Sequence, residues 1–430
     1  MTPPVAQSSA DALLRYEKSL DCVHCGICLS VCPTYKETRN EVASPRGRIY
    51  LMRGLAEGQL ELTRNFAAQM DLCLMCRACE TVCPSGVQFG RMMEVTRHEA
   101  AKAGIGSSRL GRWFRRFLLN RVVPEPRRLG LMVALTRNYK SGFLGKIVRG
   151  MGLRALMPRG LRIMEANIPD VPPPAERRRM PARFPAKEGV ARRGTVALLE
   201  GCVMPELFGA VNRRTAEALA AQGFDVLVPS SQTCCGALHA HSGEMTKAVE
   251  LAKRNIDAFL ESQADWVVLN SAGCGASLKD YAHWFADDAL WRDKAARFSA
   301  KVIDVLELFD RLQLVPAGRD DAAVTATYDA PCHLRHAQRC ATPPLAVLSR
   351  VRGIELVPLP GADDCCGAAG IYNLTHPDMS QALLAAKLDQ LASTGAKILF
   401  TGNPGCMLQW RKGIAERGLD VRVAHPVEVL

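Results

Sequence analysis

Short apolar runs alternate with amphipathic stretches through residues 195–430. The runs TVALL, DVLV, WVVL, VTATY and KILF are typical of buried strands, whereas intervening stretches such as EMTKAVELAKRNIDAFL have helical spacing. Strands that are separated by helices indicate parallel sheets. The pattern therefore predicts an α/β region that occupies the second half of the chain.

The cysteines show that this α/β region is an internal repeat. The first copy contains Cys202, Cys234, Cys235 and Cys274, and the second copy contains Cys332, Cys365, Cys366 and Cys406. Three matching pairs are separated by 130, 131 and 132 residues (202 to 332, 234 to 365 and 274 to 406). A repeat of this length is a whole βαβ subdomain. We predict two repeated parallel-sheet domains, at 195–318 and 319–430.

The position of the cysteines within each copy points to a site. They follow the predicted strands, and sites in open α/β sheets form outside the carboxyl ends of strands. We therefore expect the four cysteines of each copy to converge. Free cysteines are often simply buried, but a four-cysteine pattern that occurs twice favours a metal centre or a redox thiol site. Cys340 has no counterpart in the first copy and is interpreted as a spare thiol.

Residues 1–100 contain two identical C-x2-C-x2-C-x3-C-P motifs. Zinc sites usually combine cysteine or histidine pairs a dozen or more residues apart, so this tight spacing favours [4Fe–4S] clusters. In two-cluster proteins the fourth cysteine of each motif binds the cluster of the other motif. One predicted cluster is bound by Cys22, Cys25, Cys28 and Cys83, and the other by Cys73, Cys76, Cys79 and Cys32.

The segment between the two motifs has helical spacing, which predicts a mainly α-helical dicluster ferredoxin domain at 1–100. Two interpretations of Pro45, Arg46 and Arg48 stay open. They supply positive charge and backbone donors near a cluster, or they begin an amphipathic helix whose basic residues face solvent.

Charge separates a third region from the other two. The chain has 430 residues, 17 cysteines and a net charge of +12, but residues 101–194 alone hold 22 Lys and Arg against 5 Asp and Glu. This basic helical segment, which ends in a Pro- and Arg-rich linker, indicates a local docking surface rather than nucleic-acid binding. Within it, Arg109–Arg121 either lies on an anionic membrane surface, or packs Trp113, Phe114 and Phe117 within this protein or against a partner subunit.

Other signals exclude several classes of protein. We find no apolar signal segment and no run of about 18 apolar residues, which predicts a cytoplasmic protein with reduced thiols. No phosphate-binding loop, flavin motif or Ser/His/Asp arrangement is recognisable. His239 and His241, or His333 and His336, are weak candidates for metal ligands, and we interpret them instead as hydrogen-bond donors to ligands or as ordinary loop residues. Many redox ligands without a visible organic-substrate site indicate an electron conduit.

At this point the chain resembles the iron–sulfur subunits of glycolate oxidase. The resemblance covers nearly the whole chain, and its most discriminating phrases are PRGRIY and CCGAAGIYNLTHPD. It implies partner subunits that carry FAD and oxidise glycolate to glyoxylate, while this chain passes the electrons towards the membrane quinone pool. It also implies that the eight cysteines of residues 22–83 are the cluster ligands, that the chain has no substrate-oxidising site, and that it lies in the cytoplasm or at the inner face of the cell membrane.

Three alternatives remain. The Cys-Cys-Gly domains also resemble those of heterodisulfide reductase, in which a further cysteine ends the motif, but Ser277 and Gln409 stand at that position here. An additional iron–sulfur or metal centre stays open for each copy, and a disulfide-reducing catalytic subunit is one alternative. The second is the iron–sulfur subunit of a lactate or glycerol 3-phosphate dehydrogenase. The third is a redox sensor that binds nucleic acid through the basic segment.

Overall fold

The computed structural model describes residues 16–106, 109–150, 156–177, 179–317 and 323–430. The chain divides into two compact units. The first comprises Met1–Phe117 and Ala237–Ala248, and the second comprises Leu118–Gly236 and Val249–Leu430. The domain boundaries that we placed at residues 100, 194 and 318 stay predictions.

Helices form the N-terminal part of the chain. They are α1 (Tyr16–Leu20), α2 (Pro33–Thr38), α3 (Pro45–Ala56), α4 (Arg64–Asp71), α5 (Ala78–Thr81), α6 (Phe89–Lys102) and α7 (Arg109–Phe117). Short 3₁₀ turns lie at Ile27–Leu29 and Glu41–Ala43. Local sequence explains how α3 and α4 begin. The Ser44 side chain accepts a hydrogen bond from the Gly47 N–H with Pro45 in the first turn, and Thr63 caps α4 in the same way.

The rest of the chain alternates between helices and strands. Its first part contains α8 (Pro126–Ser141), α9 (Phe143–Gly150), α10 (Arg159–Ala166), β1 (Arg183–Phe184), β2 (Gly194–Leu198), α11 (Met204–Leu207), α12 (Gly209–Ala221), β3 (Phe224–Leu227), α13 (Ala237–His241) and α14 (Met245–Glu261). Then follow β4 (Trp266–Leu269), α15 (Ala272–Trp284), α16 (Arg292–Lys301), β5 (Val302–Asp304), α17 (Val305–Arg311), β6 (Val324–Tyr328), α18 (Pro343–Ser349), β7 (Ile354–Leu356), α19 (Tyr372–Thr375), α20 (Pro377–Ala392), β8 (Ile398–Phe400), α21 (Pro404–Arg417) and β9 (Arg422–Ala424). π-helical turns occupy Leu118–Val122 and His333–Ala337, and a 3₁₀ turn at Pro426–Val429 ends the chain.

The strands form one sheet for each copy of the repeat. The first sheet has the order β1-β3-β2-β4-β5 and is parallel except for β1, which pairs antiparallel with β3. The second has the order β7-β6-β8-β9 and is parallel throughout. The predicted fold class, a helical ferredoxin region followed by two parallel-sheet repeats, is confirmed.

One hydrophobic core in the second unit is built from both copies of the repeat. Val196 and Leu198 of β2 belong to the same buried cluster as Leu399 of β8 and Met407 and Trp410 of α21. Burying these apolar side chains is the main favourable term in folding. The two copies of the repeat therefore share one continuous hydrophobic core.

The first unit has a separate core that lies beside the cysteine motifs. Phe66 and Met70 of α4 pack with Met92 and Met93 of α6, and the same cluster includes several of the motif cysteines. Residues 237–248, which follow the first Cys-Cys-Gly sequence, also belong to this unit. There Arg97 of α6 donates to the His241 carbonyl (2.8 Å), and the ring of His98 lies 2.8 Å from the Gly243 carbonyl.

No helix within the described part of the chain is both long enough and apolar enough to cross a lipid bilayer.

Candidate iron–sulfur centres

Two cysteine-lined cavities lie in the first unit. The cysteines around the first are Cys22, Cys25, Cys28, Cys79 and Cys83. The second is lined by Cys32, Cys73, Cys76 and Cys79. The fourth cysteine of each motif thus lies at the cavity of the other motif. This is the crossed arrangement that the spacing predicts, and the assignment of individual ligands stays a prediction.

The two motifs wrap their cavities with the same backbone conformation. The residue two positions after the first cysteine has a positive φ in both motifs (His24, 56°; Met75, 57°), and so does the residue after the second cysteine (Gly26, 83°; Arg77, 62°). Residues other than glycine seldom adopt this region, and it costs about 1 kcal/mol or more for each. Three non-glycine residues with positive φ at matching positions indicate that the backbone of each motif is folded so that its thiols surround a bound group.

Arginines approach the first cavity from α3. The Arg53 guanidinium donates to the Cys22 carbonyl (2.9 Å) and contacts the His24 ring, with Nη1 2.9 Å from Nε2. Arg46 lines the cavity and donates to the His24 carbonyl (3.0 Å). Burial also raises the pKa of the Cys28 thiol to about 11. Without a bound metal, burial thus favours the neutral thiol of Cys28.

The position of Arg48 distinguishes between the two interpretations of the residues that begin α3. Its side chain is 1% exposed and donates through Nε to the Gln69 carbonyl (2.8 Å) and through its terminal nitrogens to the Thr34 hydroxyl (3.3 Å). The interpretation of a solvent-facing basic residue is thus wrong for Arg48. Arg46, in contrast, supplies positive charge beside the first cavity, as the other interpretation expected.

Arg97 has the corresponding role at the second motif. From α6, its Nη2 donates to the carbonyls of Cys73 (2.6 Å) and Met70 (2.8 Å). Sequence reasoning identified neither Arg53 nor Arg97. Each of these arginines lies on an amphipathic helix at a position where the helical spacing calls for an apolar residue. That misplaced arginine is the feature of the sequence from which its role could have been predicted.

In the first copy of the repeat, four thiols meet at the carboxyl end of the sheet. Cys202 follows β2, Cys234 and Cys235 follow β3, and Cys274 lies in the first turn of α15. Side-chain hydrogen bonds join them in a chain, from Cys202 to Cys234 to Cys235 to Cys274. The hydrogen bond with Cys235 lowers the pKa of Cys274, and the hydrogen bond with Cys234 raises the pKa of Cys202.

The second copy brings its four cysteines together in the same order. Hydrogen bonds link Cys332 to Cys365 and Cys365 to Cys366, and the Cys366 and Cys406 sulfurs are 3.1 Å apart. Hydrogen bonds with Cys365 and Cys406 lower the pKa of Cys366, and the hydrogen bond with Cys365 lowers the pKa of Cys332. Two of the four thiols are thereby favoured as thiolates, the form that binds metal.

The glycine after each cysteine pair shapes the loop in both copies. Gly236 and Gly367 have the same φ of 81°, which glycine adopts without strain. A Cβ at Gly367 would lie 2.8 Å from the backbone oxygen of Ser380. The glycine is thus required both by the turn and by the close approach of α20.

Buried polar side chains donate hydrogen bonds to backbone carbonyls at or next to the cysteine pairs, and these side chains differ between the two copies. In the first copy, the Asn255 amide donates to the Cys234 carbonyl (3.1 Å) and the Tyr281 hydroxyl donates to the Cys235 carbonyl (2.8 Å). In the second copy, the Lys387 ammonium forms a buried ion pair with Asp329 (2.7 Å) and donates to the Asp364 carbonyl next to Cys365 (2.9 Å). The sequence pattern gave no sign of these groups.

The other candidate residues have simpler positions. His333 lies beside Cys332, with Nδ1 3.6 Å from the sulfur, and the ring of His336 is 3.4 Å from the Asp363 carbonyl. His239 and His241 lie on α13 in the first unit. Cys340 is buried. Gln409, which stands where heterodisulfide reductase has a cysteine, donates to the Ser380 hydroxyl (2.9 Å).

The cysteines of the first unit have the ligand chemistry of iron–sulfur groups. Within the described residues, no three His, Cys, Asp or Glu side chains are arranged to hold one metal ion. The cysteines of the two C-x2-C-x2-C-x3-C-P motifs line two cavities, and soft sulfur ligands suit iron–sulfur clusters. Once bound, such clusters accept and release single electrons. The fold and the cavities define the class of the protein as an iron–sulfur electron-transfer protein.

Comparison with known proteins identifies the family. The 4Fe-4S dicluster domain matches residues 18–87, the cysteine-rich domain matches 196–279 and 326–411, and the linker region of the glycolate oxidase iron-sulfur subunit matches 110–168. The chain is 39% identical to the probable glycolate oxidase iron-sulfur subunit of Bacillus subtilis, over 96% of this chain and 93% of the relative. It is 34% identical to the glycolate oxidase iron-sulfur subunit of Escherichia coli, over 98% and 94%. The chain belongs to the family of glycolate oxidase iron–sulfur subunits.

A second group of relatives is shorter. Lactate utilization protein A of Geobacillus kaustophilus is 34% identical over 55% of this chain and 98% of its own length. Together, these matches confirm the predictions of an iron–sulfur electron-transfer subunit and of two [4Fe–4S] clusters. They also make this chain a component of an oxidoreductase complex.

Proposed function

We propose that this chain accepts electrons one at a time from flavin-containing partner subunits that oxidise glycolate to glyoxylate, and passes them towards the quinone pool. The observation that carries this proposal is the pair of cysteine-lined cavities in the first unit, with Cys79 at the wall of both. Two clusters that share a wall residue are close neighbours, as a single-electron relay requires. The proposed ligands are the eight cysteines of the crossed assignment.

The reaction with glycolate is assigned to the partner. The chain's own residues bind the clusters, bury them and direct arginine donors at the carbonyls of Cys22 and Cys73. Such hydrogen bonds and charges tune a cluster's reduction potential. In this proposal the chain has no substrate-oxidising site of its own, and it acts as part of a glycolate oxidase or dehydrogenase complex.

The four-cysteine sites of the repeat are proposed to hold further thiolate-bound iron–sulfur groups. Each site supplies four buried or half-buried sulfurs that are already hydrogen-bonded to one another. The measurement is iron content per chain. Iron beyond what two [4Fe–4S] clusters require, lost on Cys235→Ser or Cys366→Ser, would support this part of the proposal.

The basic segment 101–194 is proposed to attach the complex to the inner face of the cell membrane. Helix α7 leaves Trp113 62% exposed and Phe114 and Phe117 each 47% exposed, and the rings of Trp113 and Phe117 stack at 5.7 Å. These aromatic residues are therefore not core residues of this chain. Exposed aromatic side chains beside arginines suit an anionic bilayer surface. A triple serine variant at these positions should lose flotation with anionic vesicles, and unchanged flotation would refute the attachment.

The central experiment follows electrons from glycolate. The complex is purified anaerobically with its flavin subunit and mixed with glycolate, and its low-temperature EPR spectrum is recorded. A reduced [4Fe–4S] signal that depends on glycolate is expected, and a Cys79→Ser variant should lose the part of this signal that comes from the cluster assigned to Cys79. If dithionite produces the signal but glycolate does not, the substrate assignment is wrong.

A second candidate function is favoured by the shorter relatives. Because this chain also matches lactate utilization protein A, lactate oxidation is the alternative source of electrons. The same experiment with lactate in place of glycolate separates the two. Faster reduction by lactate than by glycolate at equal concentration would favour the alternative.

A further inference from the structure

The two four-cysteine sites of the repeat lie on either side of a junction between helix N-termini. Helix α15 begins directly after β4 and carries Cys274 in its first turn, and helix α21 begins directly after β8 and carries Cys406 in its first turn. The two beginnings touch, because the Ala272 N–H donates to the Gly402 carbonyl (3.1 Å). The last ligand of each site therefore lies close to the other copy.

Asn403 spans this junction with its side chain. Its Oδ1 accepts a hydrogen bond from the Gly273 N–H (3.1 Å), and its Nδ2 donates to the sulfur of Cys406 (3.4 Å). Gly273 is covalently joined to Cys274. A continuous path thus runs from the Cys406 sulfur through one amide side chain and one peptide to Cys274.

Comparison of the two copies shows that only one of two matching residues, Asn403, hydrogen-bonds across the junction. We call this pair of hydrogen bonds the bridge. Ser271 occupies the position that matches Asn403, 132 residues earlier, and its side chain hydrogen-bonds Cys274. Both residues therefore bond to the cysteine three positions ahead. Asn403 alone of this pair also bonds across the junction.

Neighbouring hydrogen bonds fix the junction in place. The Gln338 side chain donates to the Ala272 carbonyl (2.9 Å), and the buried His425 ring lies 2.8 Å from the Asn270 carbonyl. Both connect one copy of the repeat to the other. These contacts hold the two helix beginnings together on either side of the Asn403 amide.

We propose that Asn403 couples the two four-cysteine sites, so that they form one two-step electron relay within this chain. This inference rests on the proposed iron–sulfur occupants of those sites. In the coupled step one site is oxidised by one electron and the other is reduced by that electron, and no proton or heavy-atom bond moves. Asn403 is a positioning residue, because it acts through Cys406 and Gly273.

Two separable effects follow from the two hydrogen bonds. A donor to a ligating sulfur stabilises the more negative, reduced state, so the bond to Cys406 raises the reduction potential of the second site. The bond to Gly273 instead completes the path between the sites. Substitutions that remove one bond and keep the other should change the potential and the transfer rate independently.

The test uses three variants of the full chain in its complex. Asn403→Ala removes both bonds. Asn403→Ser keeps a donor for Cys406, as Ser271 provides for Cys274, but is too short to reach Gly273. Ser271→Ala is the matched control, because it removes a sulfur donor and leaves the bridge intact. Iron content and circular dichroism establish that each variant is folded and loaded.

The readouts are the midpoint potentials from an EPR redox titration and the rate at which the second-site signal follows the first after rapid mixing with reductant. Asn403→Ala should lower the second-site potential and slow transfer several-fold. Asn403→Ser should keep the potential near that of the wild type but transfer as slowly as the alanine variant. Ser271→Ala should change only the first-site potential.

Two results would overturn the proposal, and they are distinguishable. If a loaded Asn403→Ser variant transfers electrons at the wild-type rate, the coupling role fails while the iron–sulfur occupants stand. If iron content shows nothing beyond two [4Fe–4S] clusters, the proposed occupants and the relay between them both fail. Neither result affects the relay of the first unit.

Discussion

Arg97 donates a hydrogen bond to the carbonyl oxygen of Cys73, with Nη2 2.6 Å from the oxygen. Arg53 makes the equivalent contact with the Cys22 carbonyl at 2.9 Å. In both motifs a guanidinium from a neighbouring helix thus binds the first cysteine of the cluster loop. The two contacts share no residue, so each arginine provides a control for the other.

The Arg97→Met variant should lower the potential of the cluster that is bound by Cys73, Cys76 and Cys79. The positive charge stabilises the reduced cluster, and loss of about 1 kcal/mol of interaction corresponds to roughly 40 mV for a one-electron step. Arg53→Met should shift the other cluster in the same direction. An EPR redox titration of the two signals measures both shifts. Equal shifts of both clusters in either variant would contradict a local effect.

The crossed ligand assignment makes a specific prediction. Cys83→Ser should impair the cluster of the first motif and Cys32→Ser the cluster of the second motif, because each of these cysteines lies at the cavity of the other motif. The two EPR signals are assigned by comparison with Cys25→Ser and Cys76→Ser, because Cys25 lines only the first cavity and Cys76 lines only the second. If Cys83→Ser matches Cys76→Ser rather than Cys25→Ser, the assignment is uncrossed.

Periodicity and cysteine spacing predicted the larger features of the molecule. Strands are short and apolar because both faces of a parallel sheet are buried, so runs such as WVVL were recognisable. The cysteine motifs were recognisable because cluster geometry fixes the spacing of ligands in one loop. The four thiols of each repeat were expected to meet for another reason, because they follow the predicted strands and sites in open α/β sheets form at the carboxyl ends of strands.

The groups that surround the thiols were not predictable in this way. Arg97, Asn255, Lys387 and Asn403 each act on a cysteine loop that is distant in sequence, and such contacts depend on tertiary packing. The membership of residues 237–248 in the first unit has the same origin. The exposure of Trp113 could not be predicted either, since an amphipathic stripe gives no indication of what covers it.

The ion pair of Lys387 and Asp329 should dominate the stability of the second copy. Both side chains are almost completely buried, at 1% and 2% exposure. Lys387→Met should cost about 3 to 5 kcal/mol, because it leaves a buried carboxylate without its partner. The double variant Lys387→Met/Asp329→Leu removes both charges and is the matched control, and the first copy has the uncharged Leu199 at the position that matches Asp329. Denaturant unfolding should show that this double variant is more stable than the single variant.

The lowered pKa of His425 should make the free energy of unfolding depend on pH. This ring is completely buried, and burial lowers its pKa from 6.5 to about 4. The neutral ring suits its surroundings, because Nε2 can donate to the Asn270 carbonyl while Nδ1 accepts from the Val427 N–H. A proton on Nδ1 would break the second bond. The folded state therefore resists protonation that the unfolded state accepts.

The sign of the effect follows from the lowered pKa. Stability from the neutral ring is fully present above pH 6.5 and is lost as the pH falls towards 4, by about 2 kcal/mol at pH 5. Asp304 works in the opposite direction, since burial raises its pKa to about 7. The measurement is therefore the difference in unfolding free energy between the wild type and His425→Asn, both of which retain Asp304. This difference should narrow by about 2 kcal/mol between pH 7.5 and pH 5, and a constant difference would show that the ring titrates equally in both states.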